Sequence, residues 1–291
     1  MASVREEAVV SVAGMALIRL PDPYDFELST ARYRAFGPDK ANLWHEGGLH
    51  RVIDGTEVRI VAAPGGVDAE PLDTTAEPVV RKLLGSEFDL DPFYAFAEQE
   101  PVLGPLVAEL RGLRPPIAVE PFETLVTSIT AQQVSLFAAF AVRNRLIEKF
   151  GLRVGEAYAF PARERMALAE PDELTPIGFS RRKAEYVVGI ARSDLDLQSL
   201  AARSDDEVKA ELTALTGIGE WTADWFLARH LARPRAWPAG DLGVRKAVSA
   251  FYGDGRNLTT EEVRTMGQRF DPFQNLTAHY LLAALAGGAA T

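Results

Sequence analysis

The sequence predicts an α+β fold in two parts, a β-rich stretch over residues 1–114 and a helical one over 115–291. Three observations carry this. Short apolar runs, MALIRL and EVRIVAA, alternate with the turn-forming stretches HEGGLH and VIDGTE, which read as hairpins. GLRPP at 112–116 makes a stiff joint, since its prolines fix the backbone. Beyond Pro121 nearly every segment has a helical period: Phe122, Leu125, Val126 and Ile129 share one face, then Leu136, Phe137, Phe140 and Ile147 another, closed by Gly151.

The elements follow in order. PVVRKLLG and DPFYAFAEQ are the two helices expected ahead of the joint. After it, helix starts are marked by side chains that accept backbone N–H bonds: Ser135, Ser180 before RRKAEYVVGIARS, Asp205 before the EVKAELTAL run, and Thr259 three residues ahead of Glu262.

Composition narrows the function classes. An apolar fraction of 47% over 291 residues is enough for a real core. No window approaches the roughly 18 unbroken apolar residues of a membrane span. MASVREEAVV carries acids where a signal peptide has cations, so the expectation is a cytoplasmic protein. With no cysteine and four scattered histidines, thiolate chemistry and a catalytic transition metal are not expected. The net charge of −10 argues against indiscriminate nucleic-acid binding, but all of it sits in residues 1–110, with 9 basic against 19 acidic side chains; the remainder holds 22 of each. A local basic face is compatible with that balance.

The most informative stretch is LTALTGIGEWTADWFLARHL, residues 212–231. A helix is expected to end at Leu215 and another to start near Trp221, with TGIGE as a tight hairpin between them. Gly217 and Gly219 remove the side chains that would hold a ligand away, so N–H groups and a helix N-terminus can point at one anion, for which phosphate is the natural choice. A proline-braced loop, RPRAWPAGD, then delivers Asp241 to the start of LGVRKAVSAFYG, where an Asp by itself reads as an N-cap.

LTGIGEWTADWFLAR followed by PAGDLGVRKA closely resembles the AlkA-like 3-methyladenine DNA glycosylase II family of the helix-hairpin-helix superfamily. EPFETLVTSITAQQVS, GFSRRKAEYVVGIA and PYDFEL are similar to further family segments. The resemblance implies a TBP-like β-rich N-terminal domain ahead of an all-α hairpin-bearing glycosylase domain, and damaged double-stranded DNA as the partner of a monomeric enzyme. It implies that a flipped-out nucleotide loses its base by hydrolysis, with Asp241 as the catalytic carboxylate. The hairpin, through Gly217, Ile218, Gly219 and Thr222, would grip a backbone phosphate, with Arg245 and Lys246 nearby. Gln133 would fill the vacated stack. No cofactor is required; a structural Na⁺ or K⁺ at the hairpin would take the main-chain carbonyls of Thr213, Leu215 and Ile218. The base pocket would comprise Trp221, Trp225, Leu242, Leu282 and Gln132.

Two departures from the family pattern matter. In bifunctional relatives a lysine lies two residues after the second hairpin glycine; here that position is Trp221, so no lyase step is expected. Leu242 and Leu282 stand where aromatics are usual, while Gln132, Gln274 and Asn275 offer hydrogen bonds. The expected activity is monofunctional release of alkylated purines (3-methyladenine and 7-methylguanine type). The alternatives are a glycosylase for an oxidised, deaminated or otherwise modified base, and a non-catalytic damaged-DNA-binding protein. The charge run Arg181 to Lys183 is expected to be solvated or to approach DNA.

Overall fold

The strands are β1 (Gly14–Arg19), β2 (Leu43–His45), β3 (Gly48–Ile53), β4 (Thr56–Ala63) and β5 (Gly66–Leu72), paired antiparallel in the order β1-β5-β4-β3-β2. The computed structural model describes residues 14–288; MASVREEAVV lies outside them. Turn chemistry sets the register: Glu46-Gly47 and Asp54-Gly55, all at positive φ, make the two-residue connections that suit strand twist. One face of the sheet buries Ile18, Leu49, Val58, Ile60 and Val67 against Val80 and Leu83 of the Ala76–Leu83 helix.

A second core begins at Phe88 and runs through the helices to Ala284. The two cores therefore divide between Leu84 and Phe88, ahead of the joint expected at 112–116, and Leu113 and Ile117 belong to the helical core. The physical reason lies in the helix Leu90–Ala97, whose Phe93 packs on Tyr280 with ring centroids 4.9 Å apart. A further helix, Leu103–Glu109, falls in a segment with no expected element. The second part is also not wholly helical, since Leu152–Val154 and Ala157–Ala159 form a hairpin tied to β4 by Glu57, which accepts the Glu156 and Ala157 N–H groups.

Helix starts follow their caps. Ser135 and Ser180 accept from the third residue of their helices, and Thr259 with Glu262 forms a capping box. The start expected at Asp205 is one residue earlier: Ser204 is the N-cap, because its hydroxyl takes the Glu207 N–H while Glu207 returns to the Ser204 N–H. Among the described residues no helix is long and apolar enough to cross a membrane.

A buried charge cluster joins the cores. Arg51 of β3 makes a two-pronged pair with Glu123 of the Pro121–Ala131 helix, at 2.7 and 3.2 Å. Arg143, on the helix Leu136–Phe150, pairs with both Glu123 and Asp39. Two cations face two anions. Burial alone would push both carboxyls up, but Arg51 and Arg143 beside Glu123, and Arg143 beside Asp39, hold them below the usual carboxylate range.

Candidate functional site

The site is built where two helix starts meet. The helices Asp205–Thr213 and Glu220–Arg229 flank the hairpin, clamped by Lys209 and the buried Asp224 at 2.7 Å. Gly217 turns the chain at φ +92°, and the Tyr186 ring lies flat against it, so close that a Cβ there would overlap ring carbons. Gly219 is different. A Cβ there would meet nothing within 4 Å, so its smallness serves no packing need and leaves the backbone open to an approaching ligand.

Anion chemistry follows from the unused donors. The Thr222 and Ala223 N–H groups both return to Gly219 O, whereas those of Gly219, Glu220 and Trp221 donate to no group among the described residues. Thr222, expected to contact DNA, is instead buried, because its side chain faces the helical core. The Thr213 and Ile218 carbonyls accept no hydrogen bond from the described residues, and that of Leu215 accepts one, from Ile218 N–H. These oxygens suit a hard monovalent cation. Among the described residues no cluster of three His, Asp or Glu side chains could hold a metal.

Asp241 is the N-cap of the helix Leu242–Tyr252, its Oδ1 accepting the Val244 N–H at 2.9 Å. Its Oδ2 accepts two indole N–H groups, from Trp221 at 2.8 Å and Trp225 at 3.1 Å. The spacing of four residues on one helix brings both indoles to the same oxygen. Of roughly four acceptor directions on the carboxylate, three are taken and one remains open. The group is thus fixed without being buried outright.

The indoles play unequal parts. Trp221 is half-buried, with no ring or cation packed on it among the described residues. Trp225, expected as a stacking surface, is only 4% exposed, and the Arg229 guanidinium covers its ring at 3.5 Å, so that face is closed to a base. Leu282 approaches the Asp241 cap, its Cδ2 standing 3.2 Å from where a Gly243 Cβ would be. Leu242, beside the carboxylate, is 55% exposed.

Other expectations are rearranged by packing. Gln133 is exposed at φ +56°, at the tip of the turn between the Pro121–Ala131 and Leu136–Phe150 helices. Gln132 turns away from the pocket, its Nε2 donating to Gly217 O at 2.9 Å. Asn275 is wholly buried and its amide N–H groups are spent on the Ala228 and Arg233 carbonyls, and Gln274 donates to Asp271, while the carbonyl oxygen of each is buried without a partner among the described residues. In the 181–183 run, Arg181 pairs with Asp172 and Glu185, while Lys183 points inward and donates to the Thr130 and Gln132 carbonyls at 2.9 and 2.6 Å. Arg245 and Lys246 have no ion pair among the described residues and lie one turn from Asp241.

Three residues near Asp241 carry no signal in sequence. Arg229 stacks on Trp225 with a buried, unbonded Nε, and His279 meets the Trp225 ring at 5.9 Å with a buried, unbonded Nε2. Burial, then Arg229 and Arg32, push the His279 imidazole well below its usual range, so it is neutral at pH 7. Arg32, in the 3₁₀ turn Ala31–Tyr33, acts on both electrostatically, lowering the pKa of Arg229 and His279. A cation in a short N-terminal turn has no periodicity to announce it.

Residues 126–272 match the family described as HhH-GPD superfamily base excision DNA repair protein. The chain is 29% identical over 230 residues to a DNA-3-methyladenine glycosylase of Bacillus subtilis, spanning 75% of this chain and 76% of that protein. It is 28% identical over 309 residues to a probable bifunctional transcriptional activator/DNA repair enzyme AlkA of Mycobacterium tuberculosis, covering 98% of this chain and 60% of that one. Its fold superposes on a 3-methyladenine DNA-glycosylase from Archaeoglobus fulgidus with a TM-score of 0.83 at 27% identity, over 92% of this chain and 98% of the other.

Proposed function

The chain belongs to the HhH-GPD superfamily of base excision DNA repair proteins, and from that premise we propose that it is a monofunctional DNA glycosylase. It flips an alkylated purine of 3-methyladenine or 7-methylguanine type out of duplex DNA and hydrolyses the N-glycosidic bond, leaving an abasic site. It acts as a monomer in the cytoplasm. The observation that carries this reading is Asp241, held by Val244, Trp221 and Trp225 with one acceptor direction open, beside a hairpin with unspent N–H donors.

The chemistry follows from that geometry. Flipping is needed because the bond lies inside the stack. Gln133 fills the gap, while the N–H groups of Gly219, Glu220 and Trp221, with Arg245 and Lys246, hold backbone phosphate. As the C1′–N bond breaks, its electron pair leaves with the base and the sugar becomes cationic. The fixed Asp241 carboxylate stabilises that cation and orients a water, whose oxygen bonds C1′ and whose proton is released. A unit charge pair at about 4 Å and an effective dielectric near 20 is worth up to ~4 kcal/mol, about a thousandfold in rate. A base already cationic by alkylation leaves without a general acid. A hairpin Na⁺ or K⁺ on the Thr213, Leu215 and Ile218 carbonyls would add local positive charge for phosphate. Trp221 stands at the position that a Schiff-base lysine takes in bifunctional relatives, and its N–H serves Asp241 instead.

Asp241→Asn tests the reading. Release of methylated purines, measured by liquid chromatography, is expected to fall at least a hundredfold with affinity for an abasic duplex kept or raised. An unchanged rate removes Asp241 from the chemistry, and wild type that binds damaged duplex without releasing any base establishes the non-catalytic alternative. Release of another modified base alone would assign the enzyme to a different lesion class.

A further inference from the structure

Three consecutive cations open the helix Arg181–Arg192, and only two of them are matched within the protein. Arg181 pairs with Asp172 and Glu185, and the Lys183 ammonium is turned inward onto the Thr130 and Gln132 carbonyls. Arg182 lies exposed between them with no ion pair among the described residues.

Arg182 is nevertheless held in place. Its Nε donates to the Tyr186 hydroxyl at 3.1 Å, one helical turn on, and its guanidinium carbon stands 5.9 Å from the centroid of that ring. The same ring lies against the hairpin, where a Cβ at Gly217 would come within 2.2 to 2.7 Å of three ring carbons. One tyrosine ring therefore separates the guanidinium from the turn whose Gly219, Glu220 and Trp221 N–H groups donate to nothing among the described residues. The bond through Nε also leaves both terminal nitrogens of Arg182 without a hydrogen bond among the described residues.

We propose that Arg182, ordered by Tyr186, is a second phosphate site beside the hairpin, and that it takes a DNA backbone phosphate neighbouring the one the hairpin N–H groups hold. Guanidinium offers parallel N–H groups to two phosphate oxygens, a fit that ammonium lacks. Phosphates of one strand recur about every 3.4 Å along the duplex axis, so a strand gripped at the hairpin carries its next phosphates past the width of a tyrosine ring. The bond to Tyr186 restrains the arginine before DNA arrives, so less side-chain freedom is lost on binding. A phosphate contact carries no base information, so this site adds affinity and orientation for any sequence and does not choose the lesion. The inference rests on the reading of the hairpin as a grip on DNA and adds to it a residue from a different helix.

Anisotropy of a fluorescent duplex carrying an abasic analogue, titrated from about 50 to 300 mM NaCl, tests it without requiring base release. Arg182→Ala is expected to flatten the slope of log affinity against log salt by about 0.9, the value for one phosphate. It is also expected to weaken binding about tenfold at the lowest salt. Arg182→Lys, which keeps the charge and loses the fork, should keep the slope and bind with intermediate affinity. Tyr186→Phe, which keeps the ring on Gly217 and removes the hydroxyl, is expected to weaken binding about threefold with the slope kept. Arg181→Ala is the matched control and should leave the slope as it is. An unchanged slope in Arg182→Ala overturns the proposal even if affinity falls, and so does an equal loss of slope in Arg181→Ala, which would report general charge alone. Tyr186→Phe binding as tightly as wild type overturns the ordering by Tyr186. Wild-type protein with no affinity for the duplex, or with a flat salt response, is the failure of the DNA-binding reading itself and is seen before any variant is made.

Discussion

At Gly217 two requirements coincide: a positive φ and a tyrosine ring where a Cβ would be. Gly219, two residues on, has ordinary φ and open space. The two glycines therefore fail differently. Gly217→Ala is expected to destabilise the fold by about 2 kcal/mol through left-handed strain and displacement of Tyr186. Gly219→Ala is expected to leave stability within ~0.5 kcal/mol while weakening duplex binding, since its methyl group projects into the space the phosphate needs. Urea unfolding and fluorescence anisotropy separate them; equal destabilisation by both would refute the assignment. Asp241 illustrates the same economy at one residue. Cap and candidate catalyst are compatible because the cap uses Oδ1 and the indoles use Oδ2.

Among elements, the helix Arg181–Arg192 has a role that its charges conceal. Lys183 caps the C-terminal end of the Pro121–Ala131 helix through two carbonyls, where a cation also suits the helix dipole. Tyr186, one turn later, backs Gly217, and Gln132 ties the turn to the hairpin. One helix thus braces both the turn that offers Gln133 and the hairpin that offers N–H groups. Lys183→Met should loosen the turn and spare the hairpin. Base release is expected to fall about tenfold, equivalent to ~1.4 kcal/mol, near the lower end for a charge-assisted bond, with the loss in kcat rather than KM. A 2-aminopurine reporter opposite the flipped base should lose its signal in parallel; a loss confined to KM would place Lys183 on the DNA instead.

At the scale of the molecule, the buried quartet of Arg51, Arg143, Glu123 and Asp39 holds the sheet to the helices that carry the site. Its charges balance as a set, so removing one leaves others unpaired in a poorly solvated place. Glu123→Gln is expected to cost about 3 to 5 kcal/mol, seen as a lowered urea midpoint. If the variant matches wild type, the cluster does not bind the cores.

Local signals were enough for the hairpin glycines, the Asp241 cap, the Thr259 capping box and the β-turns, because each depends on neighbours within a few residues. They carried the α+β class and the family as well, since LTGIGEWTADWFLAR and PAGDLGVRKA lie close together in the chain. Side-chain direction was beyond their reach. Whether Gln132 faces a base or a backbone carbonyl, whether Trp225 offers its ring or loses it to Arg229, and whether Lys183 points out or in depend on which elements pack alongside. The core boundary ahead of Phe88 and the packing of His279 against Trp225 are likewise long-range outcomes. Composition at a joint cannot report where apolar faces finally meet; only the packed chain does.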